Sequence, residues 1–325
     1  MRRIVYFLSA VILAVTVAAL VTAPKPLQNN VPAVIPDSDL DKWLAKSEAA
    51  VHRHIPIIPD TEKRIRWADP AARASTAYAV VYIHGFSATR QEIAPLPELV
   101  ATRLGANLFE TRLSGHGLQA GALAGVSAED WLADAAEALA IGAAIGRRIV
   151  IIATSTGATL VLAMSGREEM QNVAAIIMIS PNFSPRDPNA GKLIWPGGPQ
   201  IAQLTMGKTR TWIPQNEIQG RYWSTSYPVI ALVEMMRLVR YTNDLLPLAL
   251  DADLLTLYSP ADAVIDPAAT IGALRRVDAP RNELVEIRDS ADPAQHVLVG
   301  DILSPQSTPP TAELIISFLG LTASD

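Results

Sequence analysis

The sequence predicts an α/β fold with a mostly parallel central sheet and helices on both faces. From residue 77 onward, short runs of branched apolar residues alternate with longer helical patterns. Strands that alternate with helices in this way form parallel sheets, and parallel strands are continuous apolar runs because both of their faces are buried. Half of the 325 residues are apolar, which suffices for a large core. One long segment, 182–250, interrupts the alternation and predicts an insertion.

The N-terminus carries a membrane-targeting pattern. Arg2 and Arg3 precede an apolar stretch over 4–23. Its length matches the roughly 20 residues of a spanning helix and exceeds the apolar core of about 7–15 residues in a secretory signal. Pro24 directly follows the best cleavage site, residues 21–23, and fits poorly in a protease cleft. We therefore predict an uncleaved membrane anchor over 1–23, with a removed signal peptide as the alternative.

The arginines before this segment predict where the rest of the chain lies. Positive residues that flank a membrane segment stay in the cytoplasm. The catalytic part of the chain is then exported and anchored to the inner membrane, in the periplasm or outside. Cleavage of the segment would instead give a periplasmic or secreted protein. The membrane is therefore a predicted partner, through the N-terminal segment.

Composition argues against several other classes of protein. The net charge is −5 and no long basic stretch occurs, which argues against a nucleic-acid partner. The absence of cysteine excludes disulfides and thiolate metal sites. The five histidines show no metal-ligand spacing beyond the weak pair His52 and His54, so no metal site is predicted.

The elements follow one another in a regular order. Residues 24–70 predict a proline-rich tether and an N-terminal extension with a short helix over 37–50, and the α/β core follows over 71–181 and 251–325. Ser127 and Asp130 predict a capping box, and Gly105 predicts a helix end. The predicted core strands are 77–85, 106–113, 148–153, 174–180, 253–259 and 283–288, and the predicted core helices are 93–105, 127–146, 157–170, 266–277 and 308–321.

Residues 182–250 predict a mainly helical cap over the carboxyl edge of the sheet. The segment holds three of the six tryptophans, Trp195, Trp212 and Trp223, and its only strong helix signal is at 228–242. It is too long for a plain loop in a compact domain. Trp212 and Trp223 are predicted to line an apolar substrate pocket. Alternatively, these side chains form the core of the cap itself.

Ser155 lies between a predicted strand and a predicted helix, in the sequence ATSTG. A nucleophile elbow makes this sharp turn and needs small residues where strand and helix pack closely. Gly157 meets this need, whereas Ala153 stands where the G-x-S-x-G pattern has a glycine. By itself, a serine in such a turn is more often a helix N-cap. The assignment of Ser155 as a nucleophile therefore depends on other residues.

A second turn, YIHGFSATRQE, predicts an oxyanion hole beside Ser155. A strand that ends in His-Gly places a backbone N–H next to the elbow, where the oxyanion of an acyl transfer forms. Phe86 would supply this N–H, and Thr156 would supply a second one. His84 in this turn and His116 in the turn RLSGHG are predicted to be structural.

The acid and the base of such a site follow the nucleophile in the chain. The sequence LLTLYSPADAVIDP offers two acids after a predicted strand. Asp266 precedes Pro267 and is explained as a helix N-cap, so Asp262 is the predicted acid. His296 is the only histidine after Ser155 and follows the last predicted strand, which makes it the predicted base.

The chain from Tyr78 to Leu321 resembles the α/β-hydrolase superfamily, and within it the capped carboxylesterases and monoacylglycerol lipases, a group also called serine-aminopeptidase-like. The motifs HGFSATRQE, LSGHG, ATSTG, YSPADAVIDP and QHVLVGD carry the resemblance, and Ala153 departs from it. The resemblance implies a serine hydrolase that cleaves carboxylic esters, of acylglycerols or other lipid-like molecules, through an acyl-enzyme on Ser155. It implies neither a cofactor nor a metal.

The same residues are compatible with other functions. An amidase, an aminopeptidase or a thioesterase would share Ser155, Asp262 and His296, and the sequence does not separate them from an esterase. A membrane-tethered binding protein on an inactive hydrolase fold is a further alternative. The presence of all three residues disfavours it.

Overall fold

The computed structural model describes residues 6, 22–34, 36, 38–119 and 121–320. Nearly all of the predicted membrane segment, 1–23, lies outside these residues, so the anchor and the export of the chain stay predictions. Within the described ranges, no helix combines the length and the apolar character that a membrane crossing requires.

Seven strands form the central sheet: β1 (Arg64–Arg66), β2 (Thr76–Ile83), β3 (Asn107–Glu110), β4 (Gly146–Thr154), β5 (Val173–Ile179), β6 (Asp253–Tyr258) and β7 (Asn282–Glu286). They lie in the order β1-β3-β2-β4-β5-β6-β7, and all neighbours are parallel except β1 and β3. The predicted α/β class with a mostly parallel sheet is confirmed. The sequence does not predict β1, because a strand this short shows no periodicity.

Helices cover both faces of this sheet. Successive residues of β4 point to opposite faces, so Ile149 and Ile151 join one apolar core while Val150 and Ile152 join the other. From residue 38 onward, the α-helices of the described residues are α1 (Leu40–His52), α2 (Leu96–Leu104), α3 (Ala128–Ile145), α4 (Ser155–Ala163), α5 (Gly198–Met206), α6 (Glu217–Tyr222), α7 (Val229–Leu245), α8 (Pro267–Leu274) and α9 (Thr308–Phe318). Helices α2 and α9 pack on one face, and α3, α4 and α7 pack on the other.

Local signals in the sequence set several helix ends. Ser127 and Asp130 form the predicted capping box at the start of α3. Helix α2 ends at Gly105, whose φ of 57° lies in the left-handed region. Helix α1 follows Asp39, whose side chain accepts the N–H of Lys42 at 3.1 Å. The three helix ends are thus explained by residues visible in the sequence.

Residues 182–250 connect the carboxyl end of β5 to the amino end of β6. They contain α5, α6, α7, a 3₁₀ helix at Ala190–Ile194, and an antiparallel pair of strands, Thr209–Thr211 and Ser226–Pro228. The sequence does not predict this strand pair, because three-residue strands are too short to show alternation. Helix α7 packs against α4, so it belongs to the layer that covers the sheet. The boundaries of the predicted cap stay a prediction.

The proline-rich stretch after residue 24, expected to be a tether, lies against the core. Leu27 is buried, and Nδ2 of Asn29 donates to the carbonyl of Ala163 at 2.7 Å. Arg167 donates to the carbonyl of Val31 at 3.0 Å. Residues 24–34 and 36, the described part of this stretch, have no regular secondary structure. Proline content predicts an extended backbone but does not tell whether the backbone is docked.

Candidate active site

Ser155 occupies the turn between β4 and α4. The helix begins at Ser155 itself, whose φ of 48° lies in the left-handed region. Gly157 packs so closely on the end of β2 that a Cβ there would lie 2.5 Å from the carbonyl oxygens of Ile83 and His84. Only glycine therefore fits at 157, as a nucleophile elbow requires. Ala153, in contrast, is fully buried in the core, which accommodates its methyl group.

His296 connects Ser155 to Asp262. Nε2 of His296 lies 3.0 Å from Oγ of Ser155, and Nδ1 lies 2.7 Å from Oδ2 of Asp262. The other oxygen of Asp262, Oδ1, accepts the N–H groups of Val264 and Ile265 at 2.8 and 2.9 Å. The carboxylate is buried. It fixes the imidazole with a proton on Nδ1, which leaves the lone pair of Nε2 facing Ser155.

Three loops at one edge of the sheet bring these residues together. Ser155 follows β4, Asp262 follows β6 and His296 follows β7, and the carboxyl ends of these parallel strands meet at the same edge. Sequence reasoning missed Asp292, whose side chain accepts the N–H groups of His296 and Val297 at 3.0 and 2.9 Å. The signal for it is the Asp-Pro dipeptide at 292–293, which favours a turn stabilised by the aspartate side chain.

The surroundings of His296 raise its pKa. Burial alone lowers the pKa, because it disfavours the imidazolium. The charge and hydrogen bond of Asp262, together with the charges of Glu92 and Asp292, outweigh burial. The site therefore favours the imidazolium, which is the form that histidine takes when it accepts a proton.

Glu92 is a buried carboxylate beside the site that sequence reasoning also missed. It accepts hydrogen bonds from the N–H of Gly85 at 2.8 Å, from the hydroxyl of Tyr82 at 3.1 Å and from the hydroxyl of Thr154. Burial raises the pKa of Glu92, against the hydrogen bonds that lower it. Tyr82 and Thr154 are its signal in the sequence, because hydroxyls at the ends of buried strands need partners. Glu92 thus joins the ends of β2 and β4 to the turn that holds Phe86.

Phe86 and Thr156, the predicted oxyanion donors, line the same cavity as Ser155. Thr156 is the second residue of α4, so its N–H has no partner within the helix. The Phe86 ring packs edge-on against the rings of His116 and Tyr227, at centroid distances of 5.8 and 5.1 Å. The structure places both residues beside the nucleophile. Their role as oxyanion donors stays a prediction.

Three other polar residues near the site have structural roles, as the sequence predicts. Asp266 caps α8, because its Oδ1 accepts the N–H of Ala268 at 2.9 Å. His84 Nε2 accepts the N–H of Leu113 at 3.1 Å. Burial lowers the pKa of His84 and of His116, to about 4 for His116, so both rings are neutral at pH 7.

A cavity of about 1040 Å³ lies next to Ser155 and His296. Trp212 and Trp223 both line it. They also pack on a small apolar cluster with Val297. This cluster also contains Ala88 and Leu303, which lie outside residues 182–250, so it is not a core of the cap alone. A role of the two tryptophans in substrate binding stays a prediction. Within the described part of the chain, no group of His, Asp or Glu side chains is arranged to hold a metal ion.

A serine in a strand-to-helix turn, joined through histidine to an aspartate at the carboxyl edge of a mostly parallel sheet, is the arrangement of an α/β hydrolase. Residues 80–306 match the family model of the alpha/beta hydrolase family. The chain belongs to this family, and the predicted superfamily is confirmed. Among curated proteins, none matches the sequence.

Solved structures with the same fold include lipases and esterases. One of them is a metagenome-derived lipolytic enzyme from the pair LipS and LipT. It is 20% identical to this chain with a TM-score of 0.65, and the match covers 81% of this chain and 99% of that one. The monoacylglycerol lipase of Paleococcus ferrophilus is 14% identical, with a TM-score of 0.58 and coverages of 79% and 97%. A monoglyceride lipase from Saccharomyces cerevisiae is 13% identical, with a TM-score of 0.57 and coverages of 91% and 99%. At these identities, the likeness shows a shared fold.

Proposed function

We propose that this protein is a serine hydrolase that cleaves carboxylic esters, of acylglycerols or other lipid-like molecules, through an acyl-enzyme on Ser155. One observation carries the proposal. A hydrogen-bonded chain runs from Ser155 through His296 to the buried Asp262, beside a large cavity. Each of these groups has a defined task in acyl transfer.

Acylation begins at Ser155. Its Oγ attacks the carbonyl carbon of the ester while Nε2 of His296, 3.0 Å away, takes the proton. The N–H groups of Phe86 and Thr156 bind the negative oxygen of the tetrahedral intermediate, and loss of one such donor costs roughly 2.7–4 kcal/mol in a measured case. The imidazolium then gives its proton to the alcohol oxygen. The C–O bond breaks, and the acyl group stays on Ser155.

Water releases the acyl group in the second step. His296 takes a proton from the water molecule as its oxygen attacks the acyl carbon, and the proton returns to Oγ of Ser155 when the carboxylic acid leaves. Asp262 stays ionised, 2.7 Å from Nδ1, and stabilises the imidazolium in both steps.

The cavity favours an apolar acyl chain. Its volume of about 1040 Å³ is at the upper end of the range for ligand pockets, about 300–1,000 Å³. Its wall includes Leu193, Ala202 and Met235 beside Trp212 and Trp223. Lipolytic enzymes and monoglyceride lipases share the fold. These observations support lipid-like esters as the substrate class.

A fluorophosphonate probe should label Ser155 in the purified full chain, because only a serine activated by a base attacks the phosphorus atom readily. Peptide mapping locates the adduct. Ser155→Ala should abolish labelling, whereas Ser165→Ala, at a serine just after α4, should leave it intact. Labelling that persists in Ser155→Ala would contradict the proposal. So would faster cleavage of an aminoacyl anilide or a thioester than of p-nitrophenyl esters of any length.

Glu92→Gln should move the acid limb of the pH profile to lower pH. Hydrolysis needs neutral His296, so kcat/KM rises with pH through the pKa of His296. Burial lowers this pKa, and the charges of Asp262, Glu92 and Asp292 raise it. Without the Glu92 charge the pKa is lower, and neutral His296 persists to lower pH. The measurement is kcat/KM for a soluble ester across the acid range.

Tyr82→Phe is the matched control for this shift. It removes one hydrogen bond to Glu92 but leaves the carboxylate in place. Loss of this hydrogen bond raises the pKa of Glu92, so the acid limb should move in the same direction but clearly less than in Glu92→Gln. An acid limb that stays unmoved in Glu92→Gln would show that the Glu92 charge does not act on His296.

Trp212→Ala and Trp223→Ala should each raise the preference for long acyl chains. Removing an indole enlarges the cavity, and each further buried methylene of the substrate contributes about 0.8 kcal/mol. The ratio of kcat/KM for long and short p-nitrophenyl esters measures the change. Trp43→Ala, in α1, is the control for a general loss of packing. If both cavity variants keep the wild-type ratio, these tryptophans serve only local packing.

A further inference from the structure

Six large apolar side chains are exposed within one short stretch of the inserted segment. Among the described residues, ten large apolar side chains are exposed, and six of them lie between residues 195 and 218. Leu204 and Ile213 are 85% and 91% exposed. Single exposed apolar residues are ordinary, but a group of them marks an interaction surface. We name these residues the 195–218 surface: Trp195, Ile201, Leu204, Met206, Ile213 and Ile218.

Four of the six members of this surface belong to the wall of one cavity. Trp195, Ile201, Met206 and Ile213 line the cavity that contains Ser155. Leu204 and Ile218 do not belong to the cavity wall. Because these four side chains are both exposed and part of the cavity wall, the surface reaches the entrance of the cavity.

The surface together with the residues that flank it, 186–221, is cationic, although the chain as a whole is acidic. Residues 186–221 contain five Lys or Arg against two Asp or Glu, whereas the net charge of the chain is −5. All five cations are exposed. Within the described residues, only Arg221 among them pairs with a carboxylate, that of Asp60 at 3.7 Å. The five cations are Arg186, Lys192, Lys208, Arg210 and Arg221.

We infer that the 195–218 surface docks on an anionic lipid bilayer. Exposed apolar side chains flanked by cations are the combination that inserts at a bilayer surface, because the apolar groups enter the acyl boundary while Lys and Arg meet anionic headgroups. Charge complementarity selects an anionic surface in particular. This contact is separate from the predicted N-terminal anchor, and it does not depend on the proposed esterase activity.

A second copy of the chain fits this surface less well. In a two-fold dimer the same patch faces itself, so the five cations of one protomer would meet those of the other. Like charges brought together in this way oppose association. A bilayer supplies an apolar layer and negative charge at once.

Docking would also bring the cavity to the lipid. Because the surface reaches the cavity entrance, a lipid ester could pass from the bilayer towards Ser155 without crossing water. This consequence rests on the proposed function, whereas the docking itself does not.

The absence of cysteine allows a direct test in the full chain. Leu204→Cys is labelled with an environment-sensitive fluorophore and mixed with vesicles that contain a quencher on the lipid tails. Vesicles of phosphatidylcholine with phosphatidylglycerol should shift the emission to the blue and quench it, and phosphatidylcholine alone should do so clearly less. Ser317→Cys, exposed on α9, is the matched control and should show neither effect. Cosedimentation would not suffice, because the predicted anchor could itself retain the chain on vesicles.

Several outcomes would overturn the inference. Emission at 204 that vesicles leave unchanged excludes docking, and equal quenching at 204 and 317 excludes a specific surface. Equal responses to both kinds of vesicle exclude the anionic selectivity. A blue shift that appears without vesicles and grows with protein concentration points to a second copy instead.

A charge-introducing variant separates docking from catalysis. With the probe at 213, Leu204→Glu/Ile218→Glu should weaken the response to anionic vesicles by roughly tenfold or more, because two apolar groups are lost and two negative charges are added. Hydrolysis of a soluble short ester is measured on Leu204→Glu/Ile218→Glu without the probe, because Ile213 lines the cavity. It should stay at the level of the unsubstituted chain, since neither Leu204 nor Ile218 lines the cavity. A vesicle response that survives this variant contradicts the inference. If no chain hydrolyses any ester, the proposed function fails, and the vesicle response still decides the docking.

Discussion

Replacing His296 by alanine should lower kcat for ester hydrolysis by about 10⁶-fold, as loss of the base does in a measured serine protease. Nε2 of His296 lies 3.0 Å from Oγ of Ser155 and is the group placed to take its proton. Without it, Ser155 stays a neutral hydroxyl, which is a weak nucleophile. The measurement is kcat on a p-nitrophenyl ester, with circular dichroism to show that the variant is folded.

Two further variants sharpen this expectation. His54→Ala, at an exposed histidine near the end of α1, should keep full activity and serves as the control. Ser155→Ala/His296→Ala should be no slower than either single variant, because residues that act as one unit have non-additive effects. Losses that multiply in the double variant would mean that the two side chains act independently.

Asp262→Asn should lower kcat by about 10⁴-fold while the protein stays folded. An asparagine can keep its oxygen towards the N–H groups of Val264 and Ile265, which Oδ1 of Asp262 now accepts. Its amide nitrogen then faces Nδ1 of His296 as a donor. The imidazole must accept at Nδ1 and carry its proton on Nε2, where it cannot act as a base towards Ser155.

Asp266→Asn is the matched comparison, four residues further along the same loop. Asp266 only caps α8, through the N–H of Ala268. Loss of a cap costs about 0.5–2 kcal/mol of stability, and asparagine itself caps well, so this variant should be active and close to wild type in stability. Kinetics and thermal unfolding of both variants provide the check. Inactive Asp266→Asn beside active Asp262→Asn would move the acid to position 266.

The sequence predicts the parts of this molecule that depend on strong local patterns. The six predicted core strands have counterparts in β2 to β7. Parallel strands buried on both faces are continuous apolar runs, which explains β4 and β5 best, whereas β7 lies at the edge of the sheet and is partly exposed. The order of Ser155, Asp262 and His296 along the chain, each after a strand, suffices to place them at one edge, since the strands are parallel. The structure brings their side chains into hydrogen-bond distance.

The features that the sequence does not predict depend on contacts between distant segments. Glu92 gains its position from the hydroxyls of Tyr82 and Thr154 on two different strands, and the sequence near residue 92 does not show that this carboxylate is their partner. The docking of residues 24–34 depends on Asn29 and Arg167, which are far apart in the chain. The strand pair 209–211 and 226–228 is too short for a periodic signal.

At Ser155, the left-handed backbone lowers the stability of the fold, whereas the proposed activity requires the serine side chain at this position. A residue with a side chain at a φ of 48° is strained, at a cost on the order of 1–3 kcal/mol. A domain has a total stability on the order of 5–15 kcal/mol, so this strain is a sizeable part of it. Glycine adopts such a backbone without strain. Laboratory evolution of this protein for heat resistance alone would therefore favour glycine at 155. It would yield variants that are more thermostable but inactive, unless every round also selects for turnover.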